Sequence, residues 1–151
     1  MHNSEGVVSA MSQATDAGQA AEELARQLLH PYLGLVLFFC SASYDLQAFG
    51  QALPQCFGSV RVVGCTSAGE ITAHGYGRNC ITAVGFNHAH FSIATELIDQ
   101  VEHFSLINAQ EMVERLVGGC RSNTLAPIKG NTFALTLLDG LSSREEMVLA
   151  A

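Results

Sequence analysis

Apolar positions along the chain follow two periods, and the period changes from segment to segment. Residues 6–9 read as a weak first strand. Ala17, Ala20, Ala21, Leu24 and Leu28 then recur at helical spacing behind Thr15 or Asp16, either of which can cap the first turn, and Pro31 stops the stretch. Residues 33–40 are almost uniformly apolar, the pattern of a strand covered on both faces. Asp45 is placed to cap a second helix through Leu46, Phe49 and Leu53, weakened by Gly50 and ended by Pro54. Arg61-Val62-Val63 is a short strand leading into small residues.

The middle of the chain alternates differently. Residues 80–86 and 90–97 are strand-like, and Asn87-His88-Ala89 between them predicts an antiparallel hairpin. In the second run Phe91, Ile93, Thr95 and Leu97 share one face, and His90, Ser92, Ala94 and Glu96 share the other. Asn108 with Glu111 has the spacing of a capping box, opening a helix through Met112, Val113, Leu116 and Val117 that Gly118-Gly119 ends. Residues 132–138 predict another strand. Ser142 and Glu145, with Leu141 as a staple, open a last helix. The fold class expected is α/β, a mixed sheet with helices in the order β-α-β-α-β-β-β-α-β-α.

Composition narrows the function. The chain has 151 residues, of which 48% are hydrophobic and 14% charged, with a mean hydropathy of +0.24. That balance excludes a disordered chain and fits one domain with a sizeable core. Seven Lys and Arg stand against 14 Asp and Glu, a net charge of −7, which argues against nucleic acid as a partner. So low a charge density implies that part of the surface faces another domain or subunit. The longest apolar run, residues 35–40, is far too short to span a membrane, and residues 1–10 lack the features of a secretory signal. The five cysteines (Cys40, Cys56, Cys65, Cys80 and Cys120) have irregular spacing and no C-x-x-C, as expected of reduced thiols in a cytoplasmic protein. Because the sequence stops within the apolar stretch Met147-Val148-Leu149, residues 1–151 are expected to be the N-terminal part of a longer protein, cut short at the C-terminal end.

The segment after Val63 carries the candidate chemistry. In a βα-type turn, Gly64 and Gly69 would let backbone N–H groups approach a ligand. Thr66, Ser67 and Glu70 add polar groups at the carboxyl end of a strand, where open α/β sheets bind ligands. A plain tight turn uses the same residue types. No Lys completes a Walker loop, and G-x-G-x-x-G is not matched. Tyr76 either covers this pocket or packs at its edge, and Glu70 either meets a ligand amine or is a solvated or capping carboxylate.

The string Val63-Gly64-Cys65-Thr66-Ser67-Ala68-Gly69-Glu70-Ile71, followed by Gly75-Tyr76 and later by Leu137-Leu138-Asp139-Gly140-Leu141, resembles the signature of the FIST sensory domain. The resemblance covers the chain from about Val7 onward. It implies a signal-input module of bacteria and eukaryotes that binds small ligands such as amino acids, has no catalytic activity, and works with a C-terminal FIST half. The ligand contacts expected from this segment are Gly64, Cys65, Thr66, Ser67, Gly69, Glu70 and Tyr76, although Cys65 also reads as a small buried residue that lets the turn close. The opening length and the loop through Tyr76 also resemble a bacterial subgroup that holds haem b, senses nitric oxide and acts on a histidine kinase or a cyclic-di-GMP enzyme.

An axial haem ligand needs a neutral imidazole over an apolar cavity. His74, in the Gly-rich loop, is the candidate by position, although an ordinary loop histidine explains it as well. His88 and His90 suit a polar hairpin tip, His30 a helix end, and His103 and His2 a loop and the terminus. Two readings from other classes stay open. One is a cysteine-dependent hydrolase or transferase using Cys65 with His74. The other is a structural interaction module that binds nothing small. Against the enzyme, the string around Cys65 matches no nucleophile–base motif.

Overall fold

A computed structural model describes residues 6–72, 75–99, 105–121 and 125–138. It divides the chain at Phe91 into two compact units.

The first unit begins with β1 (Val7–Ser12), α1 (Ala17–Leu28), β2 (Leu33–Ser41) and α2 (Leu46–Phe57). β3 (Arg61–Ser67), β4 (Glu70–Thr72), β5 (Gly75–Gly77) and β6 (Ile81–Asn87) follow. Four strands form one sheet in the order β1-β6-β2-β3, while β4 and β5 form a separate two-stranded ribbon. β2 and β3 are parallel; β6 is antiparallel to both of its neighbours. The expected α/β class with a mixed sheet is what forms.

Both helices start as their caps dictate. Asp16 accepts from the Gln19 N–H at 2.8 Å, and Asp45 accepts from the Ala48 N–H at 2.9 Å, each satisfying an otherwise unpaired donor of the first turn. α1 buries Ala17, Ala20, Ala21, Leu24, Ala25 and Leu28. These pack with Ala10, Val36, Cys40, Ile81 and Ala83 of the sheet and with Phe49 and Phe57 of α2. α2 runs through Pro54 to Phe57 rather than stopping at the proline. The carbonyl that Pro54 leaves unbonded belongs to exposed Gly50, where water can serve it. The extra turn buries Phe57, and Gly58 at φ 59° closes it. On the outer edge of β1 the Gln27 amide covers Met11, donating to its carbonyl at 2.8 Å and accepting from its N–H at 3.3 Å. A covered edge does not recruit further strands.

The hairpin expected from residues 80–86 and 90–97 does not form. β6 already lies between β1 and β2, so neither of its edges is left to pair. Asn87 redirects the chain instead: its carbonyl accepts from the N–H groups of His90 and Phe91, and its side chain accepts from the Ala89 N–H. Phe91 then packs edge-on against Phe86 at 5.5 Å. The short ribbon of β4 and β5 was not expected from the pattern.

In the second unit α3 spans Leu106–Arg121. Its cap is Ser105, three residues upstream of the expected Asn108. The Ser105 hydroxyl accepts from the Asn108 N–H at 3.2 Å, and the Asn108 side chain accepts from the Ser105 N–H at 3.2 Å, a reciprocal box. Nor does Gly118-Gly119 end the helix. The bare face of Gly119 lies against Ala94, where a Cβ would come within 3.1 Å of the alanine methyl. Ser92 ties the same segment down, donating to the Cys120 carbonyl at 2.8 Å. Residues 90–97 and 132–138 carry no strand among the described residues. The helix expected from Ser142 and Glu145 falls outside the described residues.

Candidate functional site

Because β2 and β3 run parallel, the loops that leave them emerge at the same end of the sheet. Cys40 is level with Thr66 and Ser41 with Ser67. The chain enters β6 at this end too: the Ser41 N–H donates to the Cys80 carbonyl at 3.1 Å. Three segments therefore converge, residues 40–44, 65–70 and 79–80.

Short polar side chains link them. The Ser41 and Ser43 hydroxyls are 3.0 Å apart, and Ser43 donates to the Asn79 side chain at 3.2 Å. Asn79 takes the left-handed conformation, φ 51°. The Tyr44 hydroxyl crosses to the Ala14 carbonyl at 2.6 Å. Beneath this network sits Glu70, 2% exposed. One of its oxygens accepts from the Ser67 hydroxyl at 2.8 Å, the other from the Cys80 thiol at 3.3 Å. Those two bonds satisfy a carboxylate that would be costly to bury alone.

Two thiols nearby, Cys80 and Cys40, are held protonated. Burial, the hydrogen bond to Glu70 and the charge of Glu70 push the Cys80 thiol up to about 11. Burial, then Glu70 and Cys65, raises Cys40. Burial also raises Tyr44, with smaller contributions from Cys80, Cys40, Glu23 and Glu70. A thiol held protonated is a poor nucleophile at neutral pH.

The residues singled out from the sequence occupy distinct places. Gly64 lies inside β3. A Cβ there would fall 2.6 Å from ring atoms of Phe38, so this glycine serves strand packing. The turn that follows joins two strands, β3 and β4, where a βα-type turn was expected. A Cβ on Gly69 would strike the Tyr76 hydroxyl end. The space this glycine leaves open is thus filled by tyrosine. Tyr76 is 65% exposed, its hydroxyl 3.5 Å from the Ala68 carbonyl and its ring 5.9 Å from the Arg78 guanidinium. Ser67 and Glu70 are joined, Thr66 is exposed, and Cys65 is half-buried within β3. β3 continues past Cys65 into a ribbon, whereas a nucleophile elbow leads from strand to helix.

His74 lies outside the described residues. His88 and His90 are exposed beyond β6, and His88 contacts the Tyr32 ring at 5.8 Å. His30 is half-buried after α1 and accepts from the Tyr32 N–H through Nδ1 at 3.2 Å. Among the described residues no three His, Cys, Asp or Glu side chains are grouped to hold a metal ion, and no helix is long and apolar enough to cross a membrane. In the second unit an open surface depression of about 650 Å³, lined by Arg121, Leu125, Ala126, Pro127, Ile128 and Lys129, holds none of the expected ligand contacts.

Reading from the sequence passed over Ser41, Ser43, Asn79 and the pairing of Cys80 with Glu70. A usable signal existed: two consecutive parallel strands place both of their following loops at one end, so Ser41-Ala42-Ser43 belonged with residues 64–70.

None of the curated proteins and none of the solved structures compared matches the chain. A family model described as the FIST N domain matches residues 34–151, well over half of the sequence and every segment that builds this site. The chain belongs to the FIST N domain family, a sensory module of signal transduction.

Proposed function

We propose that the protein binds a small polar ligand at the carboxyl ends of β2 and β3 and passes the event on through a shift between conformations. The observation that carries this reading is the convergence of Ser41, Ser43, Ser67, Glu70 and Asn79 at one end of a parallel strand pair. Open α/β sheets bind ligands at that end. Short hydroxyls and amides suit a small molecule carrying donors and acceptors, such as an amino acid. The ligand enters by displacing the exposed Tyr76 ring from Gly69. A partner reads the resulting shift. In this proposal residues 1–151 act with a C-terminal FIST half, and the downstream reader is a histidine kinase or a cyclic-di-GMP enzyme.

Haem b fits the described residues poorly. It requires an apolar slot with a histidine over it. The converging segments are polar, and His30, His88 and His90 lie elsewhere. A haem-based, nitric-oxide-sensing version of the proposal takes His74 as the axial ligand; His74, like His2 and His103, lies outside the described residues.

Thermal melts of the intact protein with a panel of free amino acids, and absorbance after haem addition, test the reading. A ligand at a hundredfold excess over its dissociation constant stabilises the native state by about 2.7 kcal/mol. Ser67→Ala should reduce the resulting shift, and Tyr76→Ala, which removes the ring that the ligand has to displace, should enlarge it. A Soret band lost in His74→Ala would favour haem. A full panel without any shift would remove the proposal's support.

A further inference from the structure

The ribbon of β4 and β5 is tied to the molecule in an unusual way. Two strands of three residues each are too small to be stable alone. Little apolar surface holds them down. Ile71 is 84% exposed and Tyr76 65%, and the Tyr76 ring lies over Gly69. Within the two strands Glu70 is the one residue that is buried. Its carboxylate is held by Ser67 at the end of β3 and by Cys80 at the entry to β6. The docked end is also tight: a Cβ on Gly77 would fall 2.6 Å from the Cys80 sulfur.

We infer that Glu70 is a latch, and that the β4–β5 ribbon exchanges between a docked state and a released state in which Cys80 is open to solvent. Three facts support it. Local opening is favoured where buried apolar contacts are few. Among the described residues the partners of the carboxylate that docks the ribbon are neutral donors, so water competes well for it once the ribbon lifts. Cys80 is 0% exposed in the docked state, so its reactivity reports the released state alone. The latch would provide the two-state element that ligand sensing needs, but it stands without that reading, since its test uses no ligand.

The test is alkylation of the intact protein by iodoacetamide at fixed pH, with the modified cysteine identified by peptide mass. Cys40 is the internal reference. It is also 0% exposed but belongs to the main core under the helices, so it labels only when the whole unit unfolds. In the native protein Cys80 should label faster than Cys40. Losing a hydrogen bond to a charged group shifts an opening equilibrium by roughly 10- to 100-fold. Glu70→Gln should therefore raise the Cys80 rate by about that factor relative to Cys40, and Ser67→Ala by a smaller one. Ser67→Ala keeps the test alive if Glu70→Gln does not fold. Equal labelling of Cys80 and Cys40 in the native protein and in both variants would overturn the latch, because Cys80 would then open only with the core.

Discussion

The two units solve the burial of apolar residues in opposite ways. In residues 6–91, α1 and α2 lie on the sheet and enclose Leu24, Leu28, Val36, Phe49 and Ile81 almost completely. In the described part of the second unit, Ala109 is the one hydrophobic residue that is fully buried. Leu97, Leu106, Ile107, Phe133 and Leu135 there are each more than 60% exposed. Apolar content is similar to the eye along both halves. The difference is whether a second layer covers the face that displays it. The first unit therefore carries its own hydrophobic stabilisation, whereas α3 depends on capping and on the contacts of residues 92–96.

Truncating one aromatic ring in each unit gives the sharpest break. Phe49 is 1% exposed and meets Phe38 edge-on at 5.2 Å. Phe49→Ala should cost about 3–5 kcal/mol in denaturant unfolding, by lost burial plus the cavity left behind. Phe133 is 76% exposed, and Phe133→Ala should stay within about 0.5 kcal/mol. Comparable costs would show that the contrast between the units is false.

A pH series separates the units next. Cys80 is a thiol whose folded pKa, about 11, lies above its usual 9.0. Well below pH 9 it is protonated whether folded or not, and its contribution is fully present. Between 9 and 11 the unfolded chain loses the proton first, so stability falls as pH rises. Cys40, Cys56 and Tyr44 are raised as well and act in the same direction. The melting temperature of the first unit should drop across this range, and Cys80→Ser should make the drop shallower. A drop of the same steepness in Cys80→Ser would remove Cys80 from the account.

Caps come third. Asp16→Ala and Asp45→Ala each remove a side-chain acceptor from a first turn and should cost about 1 kcal/mol. In a unit with a large core that loss lowers the melt but leaves amide protection in α1 and α2 high. Ser105→Ala removes an equal cap from a helix with little core beneath it. The same loss should there strip amide protection from the first turns of α3. Equal protection after both substitutions would contradict the contrast.

The sequence was informative where periodicity and a covering layer agree. The stripe Ala17 to Leu28 and the uniform run 33–40 identified α1 and β2 because both are enclosed in the structure. It misled where pairing depends on distant neighbours. Residues 90–97 alternate well, yet β6 had no free edge to receive them. The string 64–70 lies at the carboxyl end of a strand, as its pattern suggested, but its glycines were read as space for a ligand. Phe38 and Tyr76 fill that space, and no local pattern announces which ring will settle on a bare Cα. Pro54 and Gly118-Gly119 were read by propensity alone. Burial of Phe57 and contact with Ala94 outweighed it.

The smallest expected effect lies at the Arg115–Glu96 pair, the one charged link between α3 and residues 92–96 among the described side chains. The Arg115 Nε–H donates to both Glu96 oxygens, at 3.1 and 3.3 Å, and Nη2 bonds one of them as well. Glu111, one turn earlier on α3, lies 3.9 Å from the guanidinium and shares its charge. Forked geometry favours such a pair. Its setting does not: the Arg115 side chain is 57% exposed, and ordering two long side chains costs entropy. Arg115→Gln should leave the cooperative melt unchanged and slightly increase amide exchange in the last turns of α3. Raising salt to about 1 M, where the screening length is about 3 Å, should produce the same slight increase in the native protein and none in the variant. A large drop in the melt on Arg115→Gln would mean that the second unit's cohesion is electrostatic, and that covering layers are not what separates the two halves of the molecule.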